Sequence, residues 1–168
     1  MKVIQIIFLL ISMSSIALSQ DNFNTCNRKA IINDLAYFNK NVSEFINNKS
    51  DDNCVMLLMD TIVYLFQKTG NVNYIEALHS ICFISDGYIS EYFWELSDRL
   101  VFNSFGMYVD FLSSKKCKEN CLEKYFFQII NTEKRKQSVL ILIDKEFKQK
   151  NSKRKIKYLL QLQTKFKE

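Results

Sequence analysis

Glu91, Glu95 and Asp98 are spaced to lie along one face of a helix, beside Tyr92, Phe93 and Trp94. A pair of carboxylates of this kind can work as acid and base on a glycosidic bond when the two flank a cleft. The neighbouring stripe Ile89–Phe93–Leu96–Leu100 steps by four, three and four, and it faces the other way. The three acids are therefore expected on a solvated face, as a binding surface before a catalytic one. A Ser-His-Asp arrangement would have to use His79, the single histidine, which follows Leu78 in an apolar helix and reads as structural. Nucleotide-binding and nucleophile-elbow motifs are missing, and Gly70, Gly87 and Gly106, the three glycines, are too scattered to build one. No cofactor is implied.

The five cysteines are Cys26, Cys54, Cys82, Cys117 and Cys121. A zinc site needs about four nitrogen or sulfur ligands, and His79 lies on a different helix from Cys117 and Cys121, so no metal is expected. Disulfides are the better use, with an odd cysteine left over. If the helices on either side of Gly70 form an antiparallel hairpin, Cys54 and Cys82 come together and can bond. Cys26 and Cys54 begin consecutive helices and should be roughly 30 Å apart, beyond disulfide reach. Cys117 and Cys121 either close a local turn or send one thiol to Cys26.

Disulfides persist outside the reducing cytoplasm, and the first residues supply the route there. Met1-Lys2 carries a positive charge, Val3 to Met13 is apolar apart from Gln5 and Ser12, and small residues end the run at Ala17 and Ser19. This is the layout of a secretory signal peptide over residues 1–19, with cleavage before Gln20 and a periplasmic or extracellular destination. Residues 20–168 are long enough for a single domain with one core.

That domain reads as all-α. It has no proline and three glycines, which argues against the many tight turns of a β architecture. Ile31, Leu35, Phe38, Val42 and Phe45 form the first stripe. Val55, Leu58, Met59, Ile62, Leu65 and Phe66 form the second, started by an Asp51 or Asp52 cap and stopped at Gly70. A third helix spans about Asn73 to Ile84, with Ile75, Leu78 and Cys82 inward, and Ser85-Asp86-Gly87 turns into the fourth. Met107–Leu112, Leu122–Ile130, Val139–Phe147 and Ile156–Phe166 complete the set. Asn41-Val42-Ser43 and Asn48-Lys49-Ser50 match the glycosylation acceptor pattern.

Shifting the chain by 34 residues places Asp52 on Asp86, Val55 on Ile89, Met59 on Phe93 and Ile62 on Leu96. The same shift lays Tyr74–Leu78 over Tyr108–Leu112, and repeating it puts Phe93 on Phe127, Leu96 on Ile130 and Val109 on Ile143. On these residues the stretch from about Asp52 to Lys150 resembles a short α-solenoid of HEAT-like helical hairpins. The resemblance implies partner binding and no chemistry. The alternative is an irregular helical bundle.

Charge divides along the chain. Residues 20–132 hold 10 Lys and Arg against 14 Asp and Glu; residues 133–168 hold 12 against 4. The basic end, residues 151–168, includes Lys153, Arg154, Lys155 and Lys157. Its apolar stripe Ile156, Leu159, Leu160 and Phe166 is expected to dock on the core, leaving the lysines as a solvated face. A free basic helix would instead bind anionic surfaces. The expected function is that of an exported, non-enzymatic protein that binds another macromolecule, a protein before a nucleic acid. A small hydrolase using Glu91 and Glu95, and a binder of anionic surfaces, are the alternatives. A deep pocket lined by both carboxylates would favour the hydrolase; a shallow face with exposed aromatics would favour binding.

Overall fold

The computed structural model describes residues 32–48, 51–114 and 121–167. The signal segment and its cleavage point, Cys26, Ile31, Cys117 and the Asn48-Lys49-Ser50 acceptor all fall wholly or partly outside them. Among the described residues there are seven helices and no strand. They are α1 (Leu35–Asn48), α2 (Asp52–Thr69), α3 (Val72–Ile84), α4 (Gly87–Leu112), α5 (Cys121–Ile129), α6 (Glu133–Phe147) and α7 (Lys153–Lys167).

Local chemistry sets the ends. The Asp51 carboxylate accepts the Asn53 N–H at 3.2 Å and caps α2. Gly70 ends the same helix at φ 66°, in the left-handed region, where its N–H reaches Phe66 O at 2.8 Å. Asn71 then caps α3 by accepting from Asn73 N at 3.0 Å, so one short turn closes one helix and opens the next. Thr132 and Ser152 do the same for α6 and α7 by accepting from Arg135 N and Lys155 N.

The helices pack in two alternating sets. α2 lies against α4 and α4 against α6, while α1 lies against α3 and α3 against α5. Hairpin contacts α2–α3, α4–α5 and α6–α7 join the sets. Between them runs one continuous core, in which Phe38, Phe66, Phe93, Tyr108 and Phe126 are fully enclosed. Each such side chain contributes about 1.5–3 kcal/mol by leaving water. The residues superposed by the first 34-residue shift are buried on both helices: Val55, Met59 and Ile62 on α2 and Ile89, Phe93 and Leu96 on α4, and the two helices pack together.

Beyond that point the 34-residue register fails. Met107–Leu112 is not a separate or returning helix; it continues α4, which bends at Ser104 (φ −145°, ψ 28°) and runs on. The return is made by α5, so Tyr74–Leu78 and Tyr108–Leu112 belong to different sets, as do Phe93 and Phe127. Gly106 does not break the helix because an absent side chain is what this position needs: a Cβ there would lie 2.6 Å from Glu146 Oε1.

α7 docks, as its stripe requires, but rotated from the expected face. Lys155, Leu159, Leu162 and Phe166 point inward, again at four-three-four spacing, while Ile156 and Leu160 are exposed. Lys155 is therefore no part of a solvated basic face. Its ammonium pairs with Glu146 and Asp110 inside the fold.

Candidate functional site

The middle of α4 presents two polar flanks. On the flank toward α2, Tyr92 donates to Asp60 Oδ2 at 2.9 Å, and Arg99 forms an ion pair with Asp60 Oδ1. Burial, then the hydrogen bond and charge of Asp60, push the Tyr92 phenol from its ordinary value of 10.0 up to about 12. This flank is a closed network that fastens α2 to α4.

The other flank is open. Trp94, Glu95 and Asp98 of α4 line a cleft of about 410 Å³ together with Gln128 and Ile129 at the end of α5, Asn131 in the following turn and Arg135 in the first turn of α6. Trp94, 47 % exposed, stands at the rim. Asp98 accepts an ion-paired hydrogen bond from Arg135, whose guanidinium also donates to Ile129 O at 3.3 Å and lies 5.6 Å from the Phe102 ring centre. Three separate contacts hold Arg135, so the Asp98–Arg135 pair is a fixed wall. Opposite charge on the wall leaves Glu95 as the carboxylate free to meet a ligand. Gln128 Oε1 is buried and receives no donor from the described residues. A buried acceptor left without a donor costs about 1–3 kcal/mol, which a donor brought by a ligand would relieve.

Two of the three predicted acids, Glu95 and Asp98, are brought to this cleft. Glu91 is exposed one turn earlier and does not line it. Glu91 and Glu95, the two carboxylates proposed for hydrolysis, therefore do not both line this cleft, and Asp98 is committed to Arg135. Sequence reading missed Arg135 and Gln128. The only sequence signal for Arg135 is a cation at the start of a helix, where the dipole disfavours it unless an acid is near. His79 lies elsewhere, with ring centres 4.7 Å from Phe83 and 5.8 Å from Phe111, a packing role.

The cysteines pair differently from the hairpin expectation. Cys82, at the end of α3, is bonded to Cys121, at the start of α5, with Cα atoms 6.0 Å apart. The Cys54–Cys82 pairing is therefore wrong, and so is a local Cys117–Cys121 bridge. Hairpin geometry considered only the neighbour across the turn, whereas α3 also lies against α5, and that contact supplies the partner. Cys54 is itself disulfide-bonded. Asn41, a candidate acceptor for glycosylation, is within α1 and its amide donates to Tyr37 O at 2.8 Å, so the group needed for transfer is engaged.

Among the described residues no cluster of His, Cys, Asp or Glu could hold a metal ion, and no helix is long and apolar enough to cross a membrane. The residues thus define a helical protein with a polar, aromatic-rimmed cleft between α4 and the α5–α6 turn; a second cleft, of about 370 Å³, lies beside the Lys155–Glu146 pair. Comparison with protein-family models, with curated proteins and with solved structures finds no match.

Proposed function

We propose that this is an exported, non-enzymatic helical protein that binds another protein through the cleft beside Trp94. The observation that carries the reading is Gln128 Oε1, a buried acceptor with no donor among the described residues, in the same cleft as an exposed tryptophan. Exposed aromatic anchors beside partly desolvated polar groups are the usual centres of protein interfaces. A partner that inserts a hydrogen-bond donor reaches Gln128 and Glu95 while packing on Trp94. The alternating contacts of α2, α4 and α6 on one side and α1, α3 and α5 on the other support a short solenoid of HEAT-like hairpins, an architecture that presents extended binding faces.

A photo-crosslinking residue at position 94, compared with one at the exposed Tyr64 of α2, tests the site in the producing cell. A single adduct at 94, lost in Gln128→Leu, is the expected result; adducts at both positions or at neither would overturn it. Export is tested separately. The recovered protein should begin at or near Gln20, and an intact Met1 in the exported fraction would refute secretion.

A further inference from the structure

We propose that the outer face of the α6–α7 hairpin docks on an anionic lipid bilayer. This proposal concerns a surface apart from the Trp94 cleft and does not depend on it.

The inward stripe of α7 is Lys155, Leu159, Leu162 and Phe166. The opposite side of the same helix carries Lys153, Ile156, Lys157, Leu160 and Lys167, all exposed. Docking on the core and binding to a surface are thus compatible, because they use different faces. Gln163 donates to Asp144 Oδ1 at 3.3 Å and marks the seam between the two helices. Ile141 stands one turn before Asp144 and Leu160 one turn before Gln163, diagonally across that seam. Ile141 is 69 %, Leu160 51 % and Ile156 38 % exposed, and no other segment of the described chain exposes as many large aliphatic side chains.

Along the two helices and their turn nine Lys and Arg residues are exposed against two exposed acids, Glu133 and Asp144, and one of the nine, Lys165, lies over the Phe127 ring. Lysines interspersed with outward aliphatic residues are what the headgroup boundary of an anionic bilayer selects: the ammonium groups meet phosphates, and the hydrocarbon enters the acyl edge. A nucleic acid would use the charge but gain nothing from Ile141, Ile156 and Leu160. It would instead favour exposed aromatic rings for stacking, and Phe147, Tyr158 and Phe166 are not exposed.

The test is cosedimentation of the full exported chain with phosphatidylcholine vesicles, with and without phosphatidylserine. Affinity should rise at least about tenfold with the anionic lipid and fall with added salt. Ile141→Gln with Leu160→Gln should weaken binding about tenfold at an unchanged melting temperature, because both side chains are at least half exposed. Absence of binding, equal binding to the two vesicle types, or full binding by the double variant would overturn the proposal. So would a single-stranded oligonucleotide that binds as tightly as the anionic vesicles and does not respond to the double variant. Because Trp94 and Gln128 lie on another face, photo-adducts at position 94 should persist in the double variant, which separates the two readings.

Discussion

Lys155 Nζ lies 2.7 Å from Glu146 Oε2 and 3.0 Å from Asp110 Oδ2, so a single ammonium on α7 joins the ends of α6 and α4. Lys155 is 4 % and Glu146 7 % exposed, which makes this a buried pair whose third member, Asp110, reaches water.

Breaking such a pair from one side strands a buried charge. Lys155→Met should lower stability by about 3–5 kcal/mol, and Glu146→Leu by a similar amount. The double variant should be distinctly more stable than either single one, because it removes both charges and leaves apolar volume in their place. Urea denaturation of the four proteins gives the coupling. Additive losses would show that the two groups do not act as a pair.

Gly106→Ala should destabilise, against the ordinary preference. In the interior of a helix this change stabilises by about 0.8–1 kcal/mol. Here the added Cβ would sit 2.6 Å from Glu146 Oε1 and push the carboxylate off Lys155. A loss of about 2 kcal/mol or more in urea is expected, since a buried ion pair is displaced. Any gain in stability would mean that Glu146 has room to move.

Tyr92 should titrate late. Its folded value of about 12 lies above the ordinary 10.0, so the folded state holds the phenolic proton more tightly than the unfolded chain. The associated stability is complete below pH 10.0, falls as pH rises beyond it, and is gone once pH has passed about 12. Tyrosinate absorbance followed against pH should include a component near that upper value that is lost in Tyr92→Phe.

The Cys82–Cys121 bridge spans 39 residues. Closing a loop of that length stabilises by about 4 kcal/mol on the chain-entropy model. Non-reducing peptide mapping should recover the two cysteines joined, and Cys121→Ser should lose stability on that order. Recovery of Cys54 linked to Cys82 would contradict the arrangement.

Much of the helical pattern was legible because it depends on near neighbours. Asp51, Gly70 and the Ile89–Phe93–Leu96–Leu100 stripe act within a turn or two of themselves, and each does in the fold what its spacing implies. What escaped depends on which helix lies against which. Lys155 occupies an inward position of a regular stripe, yet a lysine counts as surface until a buried Glu146 is known to meet it. Cys82 has candidate partners both across the hairpin and on the next helix of its own set, and periodicity cannot rank them. The continuation of α4 through Gly106 into Met107–Leu112 escaped for the same reason, because the carboxylate packed on Gly106 comes from α6.

The alternating packing has a kinetic consequence. Every substantial helix pairing joins elements at most three apart in the chain, and most join elements one or two apart. Few distant segments must find one another, so little chain entropy is lost before contacts begin to compensate for it. Helical proteins with such low contact order fold in microseconds to milliseconds. With the hairpins collapsing that fast, the two ends of the Cys82–Cys121 bridge are held together before thiol chemistry, which takes seconds or longer, has begun. Structure then chooses the disulfide, and the bond records a fold already made.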